Sequence, residues 1–151
     1  MGHTYTSVRV HVVFSTSGRR ALLPAELQAR VWDYIGGIGK RHDIPIHQVG
    51  GIDNHVHILM SIPPAMNLCK AVQTLKAFSS KWLNETGVMK GGRFAWQEGY
   101  AAFGVSQSNA EAVAAYIREQ PQHHGKHSFE DELRSLLARN EVSFDERYLF
   151  D

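Results

Sequence analysis

The sequence predicts an α+β fold, in which helices pack against an antiparallel sheet. Segments with a two-residue apolar period, typical of strands, alternate with longer segments in which apolar residues recur every three or four positions, as in helices. The 151 residues suit one compact core, and no repeat, low-complexity stretch or linker divides them. We therefore expect a single domain over residues 1–151.

Three strands and one helix are predicted in the first half of the chain. Residues 8–14 largely alternate between apolar and polar side chains, as in a strand with one buried face. Helical spacing follows at four apolar positions, Leu27, Val31, Tyr34 and Ile38. Residues 44–52 and 55–62 predict two more strands, and the Asp53-Asn54 turn between them predicts an antiparallel hairpin.

A second helix, a fourth strand and C-terminal helices follow. Residues 67–86 predict the helix, with an apolar face formed by Leu68, Val72, Leu75, Phe78 and Trp82. Residues 94–106 contain the fourth strand. Ser108 and Glu111 have the Ser-x-x-Glu form of a capping box and predict the start of a third helix. Ser128 can cap a last helix.

This order of elements is the split βαβ, ferredoxin-like pattern. It predicts an antiparallel sheet with helices on one face, plus C-terminal helices, the first of which carries Tyr116. The other face of the sheet is then either functional or covered by a partner.

Composition sets limits on function without choosing one. The net charge of +1 neither requires nor excludes nucleic acid, because a protein that grips a long duplex usually has a larger basic excess. No stretch approaches the roughly 18 apolar residues of a membrane span, and residues 1–15 lack the pattern of a signal peptide. The single cysteine, Cys69, cannot form an internal disulfide. We expect a cytoplasmic protein with no membrane partner.

His55 and His57 form a His-x-His pair on the third predicted strand. Alternate side chains of a strand point the same way, so both imidazoles face the side opposite Val56, Ile58 and Met60. Because the apolar set belongs on the helix-covered core, the imidazoles are expected on the open face. Their Cα atoms are then about 7 Å apart, close enough for the two rings to bind one metal ion. The alternative is two surface histidines on an exposed sheet face.

Tyr116 and Gln120 lie four residues apart, which places them on one face of the predicted third helix. A phenol is a weak nucleophile at neutral pH because its ordinary pKa is about 10, and a nearby divalent cation favours the phenolate. The alternative is an amphipathic tyrosine at a helix–sheet contact. Pro121 is expected to end or kink the helix. His123 and His124 either add metal ligands or phosphate contacts, or lie in a solvated loop.

Together these motifs indicate a family. His-x-His and Tyr-x-x-x-Gln at this separation, in a chain of this length, resemble the HUH-type single-tyrosine transposases of the insertion-sequence-200/605 kind, with the REP-associated tyrosine transposases. The resemblance covers nearly the whole chain. Its further stretches are residues 10–16, 53–59, 75–80, 99–106, 123–124 and 145–148.

The resemblance implies a site and a reaction. His55, His57 and Gln120 would bind Mg²⁺ or Mn²⁺, and Tyr116 would attack a DNA phosphate. Such enzymes act on single-stranded DNA beside a hairpin, form a 5′-phosphotyrosine bond and later rejoin the strands through a 3′-hydroxyl. Members of the family are homodimers, in which the tyrosine of one subunit can serve the other.

The resemblance also implies a surface for the DNA hairpin. Basic residues cluster only loosely in the sequence, and the best candidates are Arg19, Arg20, Lys70 and Lys76. Each of them is otherwise an ordinary solvated side chain on a loop or helix. When bound to DNA, the protein would be associated with the nucleoid.

Three other functions stay open on the sequence alone. A host-adopted relative would process repeated hairpins without moving an element. A non-catalytic hairpin binder would keep the fold but form no bond to DNA. A histidine-rich zinc hydrolase ranks well behind both, because no acidic ligand accompanies the histidine pair at helix or strand spacing.

Overall fold

Four strands form one antiparallel sheet in the computed structural model, which describes residues 2–89 and 92–150. The strands are β1 (Arg9–Ser15), β2 (Ile46–Gly51), β3 (His55–Ser61) and β4 (Ala101–Val105). Their order across the sheet is β2-β3-β1-β4, and every neighbouring pair is antiparallel. Helix α1 (Ala25–Arg41) joins β1 to β2, and α2 (Leu68–Glu85) joins β3 to β4. This confirms the predicted split βαβ arrangement.

Three helices follow the last strand: α3 (Ala110–Arg118), α4 (Gln120–His123) and α5 (Phe129–Arg139). Short 3₁₀ helices occur at Ser17–Arg19, Gln107–Asn109 and Glu146–Tyr148. The Ser128 hydroxyl accepts a hydrogen bond from the Asp131 amide at 3.2 Å, as predicted for the cap of the last helix. The capping box predicted for α3 is wrong. Asn109 is the N-cap residue without a side-chain cap, and the Ser108 hydroxyl contacts that of Ser106 at 3.1 Å.

The first face of the sheet packs against α1 and α2 and forms the main core. The sheet contributes fully buried side chains from alternating positions of β1 and β3: Val12, Phe14, Val56, Ile58 and Met60. The two helices contribute their apolar stripes, which include Val31, Ile35, Ile38, Val72 and Leu75. The strand period therefore predicts the sheet side of this core correctly. The helix stripes are predicted only in part, because Phe78 is 41% exposed and Tyr34 is partly buried. Ile35 and Leu83 are fully buried instead. In the described part of the chain, no helix combines the length and the apolar character needed to cross a membrane.

The second face of the sheet is covered by helices of the same chain. Helix α5 packs on Val13 and Phe103 through four apolar residues, Phe129, Leu133, Leu136 and Leu137. Helix α3 packs on Leu59 through Ala114 and Ile117. The expectation of an open face, or of one covered by a partner, is therefore wrong. Both helices have an apolar stripe, and the free face of the sheet is where this chain buries them.

A glycine in β2 lets α3 approach the sheet closely. A Cβ atom at Gly50 would lie 2.3 Å from the carbonyl oxygen of Ile117, at the end of α3. Gly50 pairs with His57 of β3, so this contact brings the end of α3 next to the histidine strand. Since Tyr116 immediately precedes Ile117, the same contact determines where the tyrosine lies.

Candidate active site

Strand β3 places His55 and His57 on the second face of the sheet, beneath the C-terminal helices. Both imidazoles are fully buried, so the expectation of an exposed pair is wrong. A third histidine joins them from β1. The ring of His11 stacks on that of His57 with centroids 5.0 Å apart, and its Nε2 lies 2.8 Å from His57 Nδ1. The pairing of His57 with Val13 and of His11 with Leu59 brings the two rings side by side.

Helices α3 and α4 bring Tyr116 and Gln120 to the histidines. Helix α3 ends at Arg118 and α4 begins at Gln120, so the two residues lie on consecutive helices. Pro121 lies in the first turn of α4, where a missing N–H is tolerated. Gln120 is fully buried, and its Oε1 lies 2.9 Å from His55 Nε2. The proline therefore does not turn Gln120 away from the histidines.

Glu132 of α5 lies at the centre of this cluster. Its Oε1 atom lies 3.0 Å from His57 Nε2, 3.3 Å from His55 Nε2 and 3.1 Å from His124 Nε2. The ligand atoms of Glu132 and the two β3 histidines all lie within 4.8 Å of one another. These three residues are able to hold one metal ion.

The other carboxylate oxygen of Glu132 faces the tyrosine. Its Oε2 atom accepts a hydrogen bond from Gln120 Nε2 at 2.8 Å and another from the Tyr116 hydroxyl. The structure thus brings His55, His57, Tyr116 and Gln120 together around the buried carboxylate of Glu132.

Glu132 was not predicted, although the sequence contains a signal for its burial. It lies three residues after Phe129 and four before Leu136, so helical spacing places it on the apolar face of α5. A carboxylate on a buried face needs partners, which makes it a candidate ligand. The sequence does not show that its partner is His57, which lies 75 positions earlier.

The outer ring nitrogens of the histidines also have defined partners. Asn54 Oδ1 lies 2.9 Å from His55 Nδ1. The amide is oriented by its Nδ2, which donates to the Arg19 carbonyl at 3.4 Å. His124 Nδ1 donates to the carbonyl of His127 at 2.7 Å. Such contacts fix the orientation of metal-binding imidazoles and direct their inner nitrogens at the ligand position.

Burial sets the charge states in the cluster. Burial lowers the pKa of His11 to about 3 and that of His55 to about 4, so both are neutral at pH 7. Burial alone would raise the pKa of Glu132, but hydrogen bonds from three histidines outweigh it and hold the pKa below its usual range. Burial and the hydrogen bond to Glu132 raise the pKa of Tyr116, so the phenol keeps its proton at neutral pH.

The neutral state of His55 makes the cluster suited to a cation. A neutral imidazole has one N–H, yet acceptor oxygens face both ring nitrogens. Asn54 Oδ1 lies at Nδ1, whereas Gln120 Oε1 and Glu132 Oε1 lie 2.9 and 3.3 Å from Nε2. One nitrogen therefore directs its lone pair at oxygen, an arrangement that a cation between them stabilises. Two imidazoles, an amide oxygen and a carboxylate form a donor set that fits a divalent metal ion.

The four residues predicted to bind DNA lie outside this cluster. Arg19 makes an ion pair with Glu130 at 3.2 Å. Arg20 and Lys70 are exposed. The ammonium of Lys76 donates to three backbone carbonyls in the loop before β4, and burial lowers its pKa to about 8. Contact with DNA stays a prediction for all four, and Lys76 has the fewest donors left for it.

Comparison with known proteins assigns a family to this arrangement. Residues 4–120 match the family described as transposase, IS200-like. Over 124 residues the chain is 27% identical to the transposases for insertion sequence element IS200 of Salmonella typhimurium and Salmonella typhi. The alignment covers 80% of this chain and 81% of each relative.

Two solved structures share the fold at low sequence identity. A candidate transposase from Deinococcus radiodurans R1 superposes with a TM-score of 0.59 at 20% identity, over 80% of this chain and 96% of the other. A REP-associated tyrosine transposase bound to a REP hairpin gives a TM-score of 0.59 at 12% identity, over 96% and 93% of the two chains. These likenesses concern the fold, whereas the match over residues 4–120 confirms the resemblance seen in the sequence: the chain belongs to the IS200-like transposase family.

Proposed function

We propose that this protein cleaves and rejoins single-stranded DNA, with Tyr116 as the nucleophile and a divalent metal ion held beside it. One observation supports the proposal most strongly. The Tyr116 hydroxyl and both histidines of the His-x-His pair contact the same carboxylate, that of Glu132. The candidate nucleophile and the candidate metal ligands therefore meet within one chain.

In the proposed cleavage step, a bond forms between the Tyr116 oxygen and phosphorus, and the bond from phosphorus to the 3′ oxygen breaks. The phenol loses one proton and the 3′ oxygen gains one, so the step is balanced. The products are a 5′-phosphotyrosine and a free 3′-hydroxyl. A 3′-hydroxyl then attacks the phosphotyrosine, forms a new phosphodiester and returns a proton to the tyrosine, so no ATP is needed.

Glu132 is suited to position Tyr116 for this attack. Because the pKa of Tyr116 is raised, the phenol enters the reaction with its proton and donates it in a hydrogen bond. The Oε2 atom of Glu132 accepts this hydrogen bond, which holds the phenolic oxygen beside the histidines. Gln120 donates to the same oxygen at 2.8 Å and keeps the carboxylate in place.

The proposed metal is Mg²⁺ or Mn²⁺, with the three predicted ligands His55, His57 and Gln120. Glu132 Oε1 is a further ligand that the sequence did not predict. When bound, such an ion acts as a Lewis acid on the phosphate. Imidazole nitrogens are softer donors than Mg²⁺ prefers, so this set of ligands favours Mn²⁺.

The proposed substrate is a single strand that contains a hairpin. The similar fold of the REP-associated transposase, solved with a REP hairpin bound, supports this choice. Tyr116 reaches the Glu132 cluster of its own chain, so the site does not need a tyrosine from a second subunit. Homodimerisation stays a prediction, as does the alternative of a host-adopted relative that processes hairpins without moving an element.

The test of this function is a covalent protein–DNA adduct. Hairpin-bearing single strands from the surrounding genome are incubated with protein and Mn²⁺, then separated on a denaturing gel. We expect a 3′ label to shift with the protein and a 5′ label to appear on a shortened free strand, because the tyrosine keeps the 5′ phosphate. Tyr116→Phe is expected to form no adduct, since it removes the attacking oxygen.

Tyr148→Phe is the matched control, because Tyr148 is 63% exposed on a short 3₁₀ helix away from the cluster. It is expected to form the adduct as the wild type does. An adduct that persists in Tyr116→Phe, or a 5′ label that stays with the protein, would contradict the proposal. Hairpin binding by the wild type without any adduct would instead indicate a non-catalytic hairpin binder.

Metal binding is expected to depend on the charge of Glu132. Glu132→Gln keeps the shape of the side chain but removes the anionic ligand, which leaves three neutral donors. We expect the dissociation constant for Mn²⁺ to rise by about tenfold to a hundredfold. The measurement is a calorimetric titration of the DNA-free protein with Mn²⁺ at pH 7.5.

Glu130→Gln is the control for this change. Glu130 lies two residues away on α5, where it pairs with Arg19 at the surface. Its replacement is expected to leave Mn²⁺ affinity unchanged. Equal Mn²⁺ affinity in Glu132→Gln and the wild type would remove Glu132 from the set of ligands.

A further inference from the structure

A cleft of about 200 Å³ lies directly beside the tyrosine, between α5 and the segment that follows α4. Tyr116 and Glu132 line one part of it, and His123 and Arg139 line the rest together with neighbouring polar residues. The cleft therefore reaches the proposed nucleophile and, through Glu132, the candidate metal ligands. A space of this size suits one phosphate of a single strand with its sugar rather than a duplex.

Arg139 is the first unused group in this cleft. In the described part of the chain, its guanidinium donates no hydrogen bond and makes no ion pair, although its charge acts on Tyr116. The other arginines of the C-terminal segment are paired with carboxylates: Arg118, Arg134 and Arg147. An exposed guanidinium without a partner, beside a nucleophile, is available for an anionic ligand.

His123 is the second unused group. Its ring lies 4.6 Å from that of Tyr116, between centroids. The Nε2 atom of His123 is buried and has no hydrogen-bond partner among the residues that the structure describes. Buried polar atoms are rarely left unpaired in proteins, so this nitrogen indicates a ligand that the folded chain alone does not supply.

Both acidic residues that line the cleft have partners of their own. Asp131 also lines it, but its carboxylate pairs with Arg134 Nη1 at 3.4 Å. Glu132 directs one oxygen at the histidines and the other at Gln120 and Tyr116. The charge that faces the cleft without a partner is therefore the positive charge of Arg139.

We propose that this cleft receives the scissile phosphodiester, with Arg139 and His123 Nε2 donating hydrogen bonds to its non-bridging oxygens while the Tyr116 hydroxyl faces the phosphorus. The inference rests on the proposed function, because it places the substrate of the same reaction. A planar guanidinium matches the oxygens of a phosphate and stabilises the charge that those oxygens carry during transfer. Arg139 and His123 then act on the DNA and are not ligands of the metal.

The probe for this cleft is the dinucleotide dTpdT, which has one phosphodiester and no hairpin. Its ³¹P resonance is followed in the presence of Mg²⁺ as full-length protein is added. We expect saturable binding to the wild type and at least about fivefold weaker binding to Arg139→Gln, because a charge-assisted contact is lost. His123→Phe keeps the ring beside Tyr116 but removes Nε2, and it is also expected to weaken binding.

Arg147→Gln is the matched control, since Arg147 does not line the cleft and pairs with Asp145 at 2.7 Å. It is expected to bind dTpdT as the wild type does. Absence of saturable binding to the wild type, unchanged binding to Arg139→Gln, or equal weakening by both arginine changes would overturn the inference.

The adduct assay on hairpin strands separates this inference from the proposed function. If the wild type forms the adduct and Arg139→Gln both forms it equally and binds dTpdT equally, the cleft assignment fails and the function stands. If the wild type forms no adduct while Arg139→Gln still weakens dTpdT binding, the function fails and the phosphate cleft stands.

Discussion

Gly50→Ala is expected to lower the free energy of unfolding by about 3 kcal/mol, because the added methyl group has no space. A Cβ atom at Gly50 would lie 2.3 Å from the carbonyl oxygen of Ile117 and 3.0 Å from its Cγ2 atom. The nearest atom belongs to the backbone, so a side-chain rotation cannot relieve the clash. Either β2 must move away from β3, or the end of α3 must move off the sheet.

The same substitution is expected to reduce adduct formation more than the loss of stability alone predicts. Tyr116 immediately precedes Ile117, so a shift of the end of α3 moves the phenol away from Glu132. Urea unfolding measures the first effect. The denaturing gel, run at a temperature where the variant is still folded, measures the second.

Gly104→Ala is the control for a glycine in the same sheet. Gly104 lies in the edge strand β4, and a Cβ atom there would meet no atom within 4 Å. We expect a change within about 0.5 kcal/mol, with adduct formation unchanged. Equal effects of the two substitutions would show that the contact between Gly50 and α3 does not hold the helix in place.

Local sequence patterns predict much of the sheet and its histidine pair. Alternation along β3 is sufficient to place His55 and His57 on one face, because it requires no knowledge of neighbouring strands. The contact of His11 with His57 is different. It depends on the pairing of β1 with β3, two strands about 46 positions apart, and no period within either strand determines that register.

The burial of the site could not be predicted in the same way. Helical spacing shows that α5 has an apolar face and that Glu132 lies on it. It does not show which surface this face covers, because that depends on the path of the chain after β4. The carboxylate therefore could not be assigned to the histidines, and the histidines themselves were expected to be exposed.

The break in the helix after Tyr116 was predicted from the sequence only in part. Pro121 correctly predicts that the helix cannot continue unchanged. The sequence does not reveal that a new short helix starts at Gln120 and turns its amide toward His55. Helix boundaries near a proline are local, but the direction of the following segment is set by the tertiary contacts of Gln120 with buried residues.

Lowering the pH from 7 to 5 is expected to destabilise the metal-free protein by about 2–4 kcal/mol, because two buried histidines must stay neutral in the fold. The folded pKa values are about 3 for His11 and about 4 for His55, against 6.5 for an ordinary histidine. Between pH 7 and pH 5 these two histidines therefore bind protons in the unfolded chain but not in the folded chain. The stability is fully present above pH 6.5 and is lost as the pH falls toward 4, at about 1.4 kcal/mol per unit for each histidine.

Two other groups in the cluster do not produce this effect. The pKa of Glu132 is lowered, so the stability from its ionised form is present above its ordinary value of 4.5 and is lost only at more acidic pH. Burial lowers the pKa of His124, but the hydrogen bond to Glu132, the negative charge of that carboxylate and the hydrogen bond to the His127 carbonyl together raise it above its ordinary value. The stability from protonated His124 is present below pH 6.5 and is lost at higher pH. It therefore offsets part of the destabilisation by acid. This offset is the reason for the expected range of about 2–4 kcal/mol.

Urea unfolding in EDTA at pH 7 and pH 5 measures the acid effect, and His11→Leu identifies its source. The leucine removes one of the two buried imidazoles, so the difference between the two pH values is expected to fall by about 2 kcal/mol, which is half of it or more. The variant is also expected to be less stable at pH 7, because His57 Nδ1 loses its partner at 2.8 Å. Only the difference between the two pH values decides the source. An unchanged pH dependence in His11→Leu would mean that the proton uptake occurs elsewhere in the chain.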